Sequence, residues 1–504
     1  MFRRVLVANR GEIAVRIIRA CRDLGVSPVT VHSEADRDSL HVRLADESFE
    51  VGGAASRDSY LNGERVIEAA RAMEAEALHP GYGFLAENGG FAARCAERGL
   101  VFVGPPPEAM RRMGDKAAAR ATAVGAGVPV VPGSDIVSGK DAERAAVRIG
   151  FPLLIKAVAG GGGMGMRLVR DPSEFSDSLR AAESEAEAAF GDARVFLEHF
   201  VENPRHIEIQ VFGDDFGSVV HLGERDCSIQ RRNQKLLEES PSPAISPGLR
   251  AAMGEAAVRL ARGAGYRNAG TVEFLLAPEG RFHFLEMNAR LQVEHPVTEL
   301  VSGMDLVALQ LRVAAGEPLG FAQSEVSLSG AAIELRITAE DPFTGFVPAT
   351  GRIREFRPPA GPGVRCDAGI DSGSVVSPHY DPLLAKIIVS GPDRETARRR
   401  AIRAVRETRL VGVASTLPFF ERVLASAPFC SGDLDTSFVA VHWSALSRNG
   451  ADGESAARAE LAPLALAAAA GELWRREGAN AGVCGAPPSG WRLAGVAEAQ
   501  RDRL

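Results

Sequence analysis

The 504-residue chain has room for about three domains of roughly 150 residues each, and an apolar fraction of 45% rules out global disorder. A formal net charge of -7 argues against nucleic acid or an anionic membrane as the main partner. No segment approaches the ~18 uninterrupted apolar residues of a membrane span, and the apolar run within Met1 to Arg10 is too short for a signal peptide, so a cytoplasmic protein is expected.

Val5 to Ala8 reads as a buried strand, Gly11 to about Leu24 as an amphipathic helix, and Val29 to His32 as a second strand. Ile67 to Met73, Ala77 to Leu78, Phe91 to Ala96 and Val101 to Val103 continue the alternation, which predicts a parallel sheet. Gly104 and Pro105 to Pro107 are expected to close this unit, placing a first domain at 1–113. Asp115 to Ala126 reads as a helix ended by Gly127 and Pro129. A small lobe follows: strand Leu153 to Val158, a glycine run, strand Arg167 to Val169, a helix around 173–189 and strand Val195 to Leu197. From about 203 strands dominate, the clearest being His206 to Phe212, Ser218 to Leu222, Gly270 to Leu276 and Arg281 to Met287. The stretch 447–504 is Ala-rich, with room for one helix near 455–473.

Two counts sharpen the search. Six cysteines (Cys21, Cys95, Cys227, Cys366, Cys430, Cys484) form no CxxC pair, so zinc and thioredoxin-like chemistry lose their main support. Only five lysines occur: Lys116, Lys140, Lys156, Lys235 and Lys386. Lys is a compact point charge with a tunable pKa, and Arg does not replace it at a phosphate or a proton-handling site. Each lysine in this Arg-rich chain is therefore a candidate for chemistry.

Lys156-Ala-Val-Ala-Gly160-Gly161-Gly162-Gly163-Met164-Gly165 is the first chemical signal. Glycines leave backbone N–H groups free to close on phosphates. The run satisfies GxGxxG, but a strand and not a helix follows it, which speaks against a dinucleotide fold. Walker A chemistry lacks its Gly-Lys-Ser/Thr, and a kinase lacks His-Arg-Asp, so Asp215-Phe216-Gly217 is taken as a turn. A flexible hairpin without a ligand is the plain alternative.

The second signal runs from Phe284 through Glu286, Asn288, Arg290, Gln292 and Val293 to Glu294 and His295. Alternate residues of a strand share a face, so Glu286, Asn288 and Arg290 point one way if the strand persists, and Gln292 and Glu294 continue the parity. Glu273 can face Glu286 across a hairpin turning at Ala277-Pro-Glu-Gly280. Two carboxylates and an amide oxygen suit Mg²⁺, although a solvated polar face would look similar. The third signal is Glu224-Arg-Asp-Cys227-Ser-Ile-Gln230-Arg-Arg-Asn233-Gln-Lys235, a basic patch whose cysteine reads as an ordinary thiol.

With Val7-Ala-Asn-Arg-Gly-Glu-Ile, His79-Pro-Gly-Tyr-Gly-Phe-Leu, Met113-Gly-Asp-Lys116 and Glu202-Asn-Pro-Arg-His206 in the same order, the motifs from about residue 2 to 446 resemble the biotin carboxylase component (α-subunit) of biotin-dependent acyl-CoA carboxylases, in the ATP-grasp superfamily. The resemblance implies a mixed α/β and α+β ATP-grasp fold: a Rossmann-like N-terminal α/β domain at 1–113, a linker helix at 114–130, a mobile lid at 131–202, and a mixed C-terminal domain at 203–446. It implies ATP contacts from Lys116, Lys156, Gly161, Gly162, Gly163, Gly165, Glu198, Val201, His206, Gln230 and Leu275. Glu273, Glu286 and Asn288 would hold Mg²⁺ or Mn²⁺; Arg290, Gln292 and Val293 would bind bicarbonate. Glu294 would be the general base, Lys235 would hold the bicarbonate or carboxyphosphate anion, Arg336 would stabilise the biotin enolate, and Tyr82 would line the biotin pocket.

The implied activity is ATP-dependent carboxylation of biotin through carboxyphosphate, the first half-reaction of an acetyl- or propionyl-type acyl-CoA carboxylase. None of the five lysines has the Met-Lys-Met context of a biotin attachment site, so biotin is expected on a carrier protein or domain, with a carboxyltransferase subunit beside it and an oligomeric assembly. The segment Gly490-Trp-Arg-Leu493 resembles the start of a linking domain that the chain does not complete. Three departures bear on ATP affinity: Asn233 where some members have histidine, His199 where lysine is usual, and Met164 where Arg or Lys is common. The alternatives are another ATP-grasp carboxylate–amine ligase and an inactive nucleotide-binding regulatory subunit.

Overall fold

The structure is a computed structural model that describes residues 1–158 and 165–448. The chain divides into two compact units, Met1–Ser444 and Ala445–Leu504, and all described sheets and site residues belong to the first. The helix expected near 455–473 lies outside the described residues, as do Gly161, Gly162, Gly163 and Met164.

The Val5-Leu6-Val7 run is wholly buried and forms β1 (Arg4–Val7). A strand with no polar face must be covered on both sides, which is the situation of a parallel sheet between helices. With β2 (Ser27–Ser33), β3 (Glu47–Gly52), β4 (Ala77–His79) and β5 (Val101–Phe102) it makes a parallel sheet of order β3-β2-β1-β4-β5. Pro107 does not end this unit as the proline run suggested. It opens helix Pro107–Gly114, where a first-turn residue has no N–H partner to lose. Asp115 then caps helix Lys116–Gly125 by accepting from the Ala118 N–H at 2.7 Å.

The lobe that follows holds β6 (Gly133–Val137), β7 (Leu153–Ala157), β8 (Met166–Val169) and β9 (Val195–His199) in the order β6-β9-β7-β8. Helices Gly139–Ile149 and Phe175–Phe190 cover it. β7 and β8 are antiparallel, with Lys156 opposite Met166, so the glycine run connects two strands as the sequence indicated. Gly165 has a φ of +73°, and a Cβ there would come within 2.9 Å of the Ala157 side chain.

The third sheet has eight antiparallel strands: β10 (Arg205–Gly213), β11 (Val219–Arg231), β12 (Gln234–Ser240), β13 (Asn268–Leu276), β14 (Phe282–Asn288), β15 (Ala331–Thr338), β16 (Val364–Ala368) and β17 (Leu383–Gly391). Their order is β14-β13-β10-β11-β12-β15-β17-β16. On β10, Ile207, Ile209 and Val211 join the core formed with Met253, Ala257 and Leu260 of helix Pro247–Gly263. The strand alternation therefore turns His206, Glu208 and Gln210 to the other face, where helix His295–Ser302 packs on β11, β12, β15 and β17. Asp215-Phe216-Gly217 is the turn between β10 and β11, with Asp214 accepting the Phe216 and Ser218 N–H groups at 2.9 Å each. No described helix is long and apolar enough to cross a membrane.

Candidate active site

Strand register builds one row of charge across the large sheet. Glu286 lies opposite Glu273, Glu273 opposite Glu208, and Glu208 opposite Arg225. Farther along, Glu238 pairs with Glu334 and Arg336 with Lys386. Lys235 reaches this row from the β11–β12 hairpin. Arg232 and Asn233 occupy its two-residue loop with φ of +49° and +66°, the pattern of a type I′ turn, in which Asn is at ease. The departure at Asn233 thus has a local backbone reason.

Lys235 is the hub. Its Nζ donates to Glu273 Oε1 at 2.9 Å, to Glu294 Oε1 at 3.0 Å, and to Glu208 Oε1. Burial opposes the ammonium, yet Glu208, Glu273 and Glu294 outweigh it and raise its pKa well above the ordinary value. Glu294 also accepts from Arg336 Nη2 at 2.8 Å, and Arg336 Nε donates to Glu238 at 2.6 Å. Burial and Glu208 push Glu294 upward, but Lys235, Arg336 and Arg225 together hold it below the usual carboxylate range. It is therefore an ionised acceptor at neutral pH. Burial, only partly offset by Arg336, pushes Glu238 up to about 7.

Arg225 frames this cluster from beneath. It is fully buried, and all five of its N–H donors are used: two on Glu208 Oε2, and one each on Gln210, Thr298 and Thr271, at 2.8 to 3.1 Å. Arg225→Met is expected to cost about 3–5 kcal/mol, because it strands buried partners of a charge. Chemical unfolding would check this; a midpoint shift with an unchanged m-value is the expected signature. Cys227 is fully buried, and that burial drives its thiol well above its normal value, so it is no nucleophile.

The extended parity expected from Glu286 to Glu294 does not persist. β14 ends at Asn288, the chain bends, and Glu294 becomes the residue preceding helix His295–Ser302. The bend still gathers the expected groups. Arg290 donates to Asn288 Oδ1 at 3.1 Å, to Gln292 Oε1 at 2.9 Å and to Glu87 Oε2 at 3.0 Å. Gln292 Nε2 and Asn288 Nδ2 both donate to Glu273 Oε1, at 3.1 and 2.7 Å.

The donor chemistry fits a divalent cation at Glu273 and Glu286. The Glu286 carboxylate makes no hydrogen bond or ion pair among the described residues, and its strand position lies opposite Glu273. Its surroundings and the Glu273 charge both raise its pKa. Asn288 is adjacent, but its amide oxygen is engaged by Arg290. His206, Glu208 and Glu273 also bring ligand atoms within 4.8 Å of one another. Lys235 and Arg225 already neutralise that trio. His206 Nε2 lies 3.0 Å from Glu273 Oε2; burial lowers its pKa, but the carboxylate prevails and lifts it to about 9.

Other expected residues are distributed more widely. Lys156 and Glu198 come together in the lobe as an ion pair on β7 and β9. Leu275 lies opposite His206, Gln230 opposite Lys235, and buried Val201 just beyond β9. Lys116 is the first residue of helix Lys116–Gly125, directly after the Asp115 cap. Tyr82 donates its hydroxyl to Glu12 Oε1. The turn that presents Tyr82 is held by Asn9, which donates to the Pro80 and Tyr82 carbonyls at 2.7 and 2.8 Å, and by His79 Nδ1, which accepts the Gly81 N–H at 3.1 Å. Gly81 has a φ of +63°, and a Cβ there would meet Asn9 at 2.9 Å.

Burial drives His79 down to about 3. A folded pKa below the unfolded value of ~6.5 stabilises above that pH, and the stability is lost as pH falls from there through the folded value. Histidine NMR is expected to show His79 neutral from pH 8 down to the acid limit of the fold; a midpoint near ~6.5 would contradict its burial.

Sequence reasoning missed Glu208, Glu238, Arg225, Glu87, Glu12 and Glu334. Glu208 had a readable signal, since His206-Ile-Glu-Ile-Gln alternates polar and apolar residues. The others depend on pairing between strands or segments far apart in sequence.

A mixed fold with an antiparallel lobe and a large sheet lined by carboxylates and cations is that of an ATP-grasp ligase. The Biotin carboxylase, N-terminal domain family matches residues 1–110, the Carbamoyl-phosphate synthase L chain, ATP binding domain family matches 115–322, and the Biotin carboxylase C-terminal domain family matches 334–441. The chain is 53% identical over 440 residues to the biotin carboxylase of Nostoc sp., covering 87% of this chain and 98% of that one. It is 49% identical over 441 residues to a pyruvate carboxylase subunit of Methanothermobacter thermautotrophicus, covering 87% and 90%. The biotin carboxylase domain dimer of Hydrogenobacter thermophilus 2-oxoglutarate carboxylase, solved with MgADP, ADP and bicarbonate, aligns with a TM-score of 0.83 at 45% identity, covering 88% of this chain and 99% of that one. The chain belongs to the biotin carboxylase family and is an ATP-dependent ligase that carboxylates biotin.

Proposed function

We propose a division of labour in which ATP lies between the 131–202 lid and the large sheet of the 203–446 domain, its phosphates toward Lys116, Lys156, Gly161, Gly162, Gly163 and Gly165. The adenine lies toward Glu198, Val201, Gln230 and Leu275, and His206 stands near the phosphate end. Glu273 and Glu286, with Asn288 at hand, would hold Mg²⁺ or Mn²⁺, which supplies charge neutralisation at the transferring phosphoryl group. Arg290, Gln292 and Val293 cradle bicarbonate. Glu294 takes its O–H proton as a bicarbonate oxygen bonds to the γ-phosphorus and the bond to ADP breaks. Lys235 holds the resulting carboxyphosphate, and closure of the lid excludes water from it. Carboxyphosphate breaks its C–O bond to give CO₂ and phosphate, the phosphate takes the N1′ proton of biotin lying along Tyr82, and N1′ bonds to the CO₂ carbon. Arg336 stabilises the enolate oxygen. The observation that carries this reading is Glu294 held ionised between Lys235 at 3.0 Å and Arg336 at 2.8 Å.

The biotin is borne by a carrier protein or domain and passed to a carboxyltransferase subunit, in an oligomeric cytoplasmic assembly. An acyl-CoA is the final acceptor. A 2-oxo acid acceptor is the second reading, favoured by the similarity to pyruvate and 2-oxoglutarate carboxylase components. Bicarbonate-dependent ATP hydrolysis, measured with and without free biotin, tests the scheme. Biotin is expected to raise the rate and EDTA to abolish it. ATP binding with no response to bicarbonate or biotin would refute the assignment.

A further inference from the structure

One buried charge stands behind both substrate subsites without a role in that chemistry. Lys386, on β17, is wholly buried. Its Nζ donates to the Val293 carbonyl at 2.6 Å and lies 3.2 Å from Glu12 Oε1. That same Glu12 oxygen accepts the Tyr82 hydroxyl. Three remote segments therefore meet at one ammonium: the first turn of helix Gly11–Asp23, the turn carrying Tyr82, and the bend carrying Val293 and Glu294.

We infer that Lys386 is a positioning residue that couples the bicarbonate bend to the biotin pocket, through its bonds to the Val293 carbonyl and to the Glu12–Tyr82 pair. The inference rests on the assignment of bicarbonate to the bend and biotin to Tyr82. A desolvated ammonium binds its few partners tightly, and one of them is the backbone of the bend itself. The Val293 carbonyl shares a peptide plane with the Glu294 nitrogen, so holding that carbonyl also fixes where the base begins. Glu334 makes no competing hydrogen bond, since both its oxygens lack partners, and burial raises its carboxyl far above the usual range. A lysine kept only for stability would be a poor choice, because a buried ion pair is often matched or bettered by neutral residues of similar shape.

That contrast supplies the test. In Lys386→Met/Glu12→Gln both charges go together, so the fold is expected to keep its melting temperature. The KM values for bicarbonate and for free biotin are expected to rise about tenfold each, the scale of one or two lost hydrogen bonds, while the KM for ATP stays put. Unchanged KM values, or a fall in kcat alone, overturn the inference. If the double variant does not fold, Tyr82→Phe leaves both charges in place and still cuts the link. Its bicarbonate KM, measured in biotin-free ATP hydrolysis, is expected to rise, and an unchanged value overturns the coupling. A wild-type chain without bicarbonate-dependent ADP release would sink the site assignment together with this inference. An active wild type with unaltered variants would sink the inference alone.

Discussion

Glu294→Gln is expected to bind ATP normally and to lose biotin carboxylation by a factor of about 10² to 10⁴, the range of a removed general base. The substitution keeps the shape of the side chain and removes only its charge. The neighbours are not left stranded: Lys235 retains Glu208 and Glu273, and Arg336 retains Glu238 at 2.6 Å. The loss should therefore appear in turnover and leave folding and nucleotide affinity in place. Single-turnover formation of carboxybiotin, beside equilibrium ATP binding, separates the two. Normal turnover would remove Glu294 from the role of base.

Lys235→Arg is expected to slow the reaction about a hundredfold despite conserving charge. A single ammonium serves three carboxylates that converge from β10, β13 and the bend before helix His295–Ser302. Three rotatable donors on one nitrogen suit that convergence. A planar guanidinium is wider and directs its donors in a fixed fork, so it must abandon at least one partner or displace the strand after the Arg232-Asn233 turn. The bicarbonate KM should rise as kcat falls, since this cation is assigned to the anion. A rate equal to wild type would show that the scarcity of lysine carries no chemical meaning at this position.

Local signals were legible in the sequence. Val5 to Ala8 announced a buried strand by its unbroken apolar run, and the glycine run was correctly placed between two strands because Arg167-Leu-Val-Arg has no helical pattern. The Glu273–Glu286 pairing followed from a hairpin of recognisable turn residues, and the structure has that register. The bend after Asn288 was not legible, because an extended parity and a broken one have the same spacing. Glu238 and Glu334 were invisible for a different reason, and Lys386, though it stood out as one of five lysines, showed none of its partners. β12, β15 and β17 are joined by connections of dozens of residues, so which carboxylate meets which cation is decided by tertiary pairing. Pro107 misled because proline marks a helix start as readily as a chain break.

The hub at Lys235 has a consequence for how substrates are received. In the form described, Lys235 and Arg336 are already paired with the protein's own carboxylates, much as an exchange resin is stored with its counter-ions loaded. An arriving anion gains Lys235 only by displacing a resident carboxylate, so one substrate alone exchanges like for like there and gains little. On the proposed assignment, bicarbonate would draw Lys235 away from Glu294, and the carboxylate would lose one of the charges that hold its pKa down. Its appetite for a proton would then grow at the moment the proposed proton donor is beside it, so that the arrival of the substrate would make the proposed base.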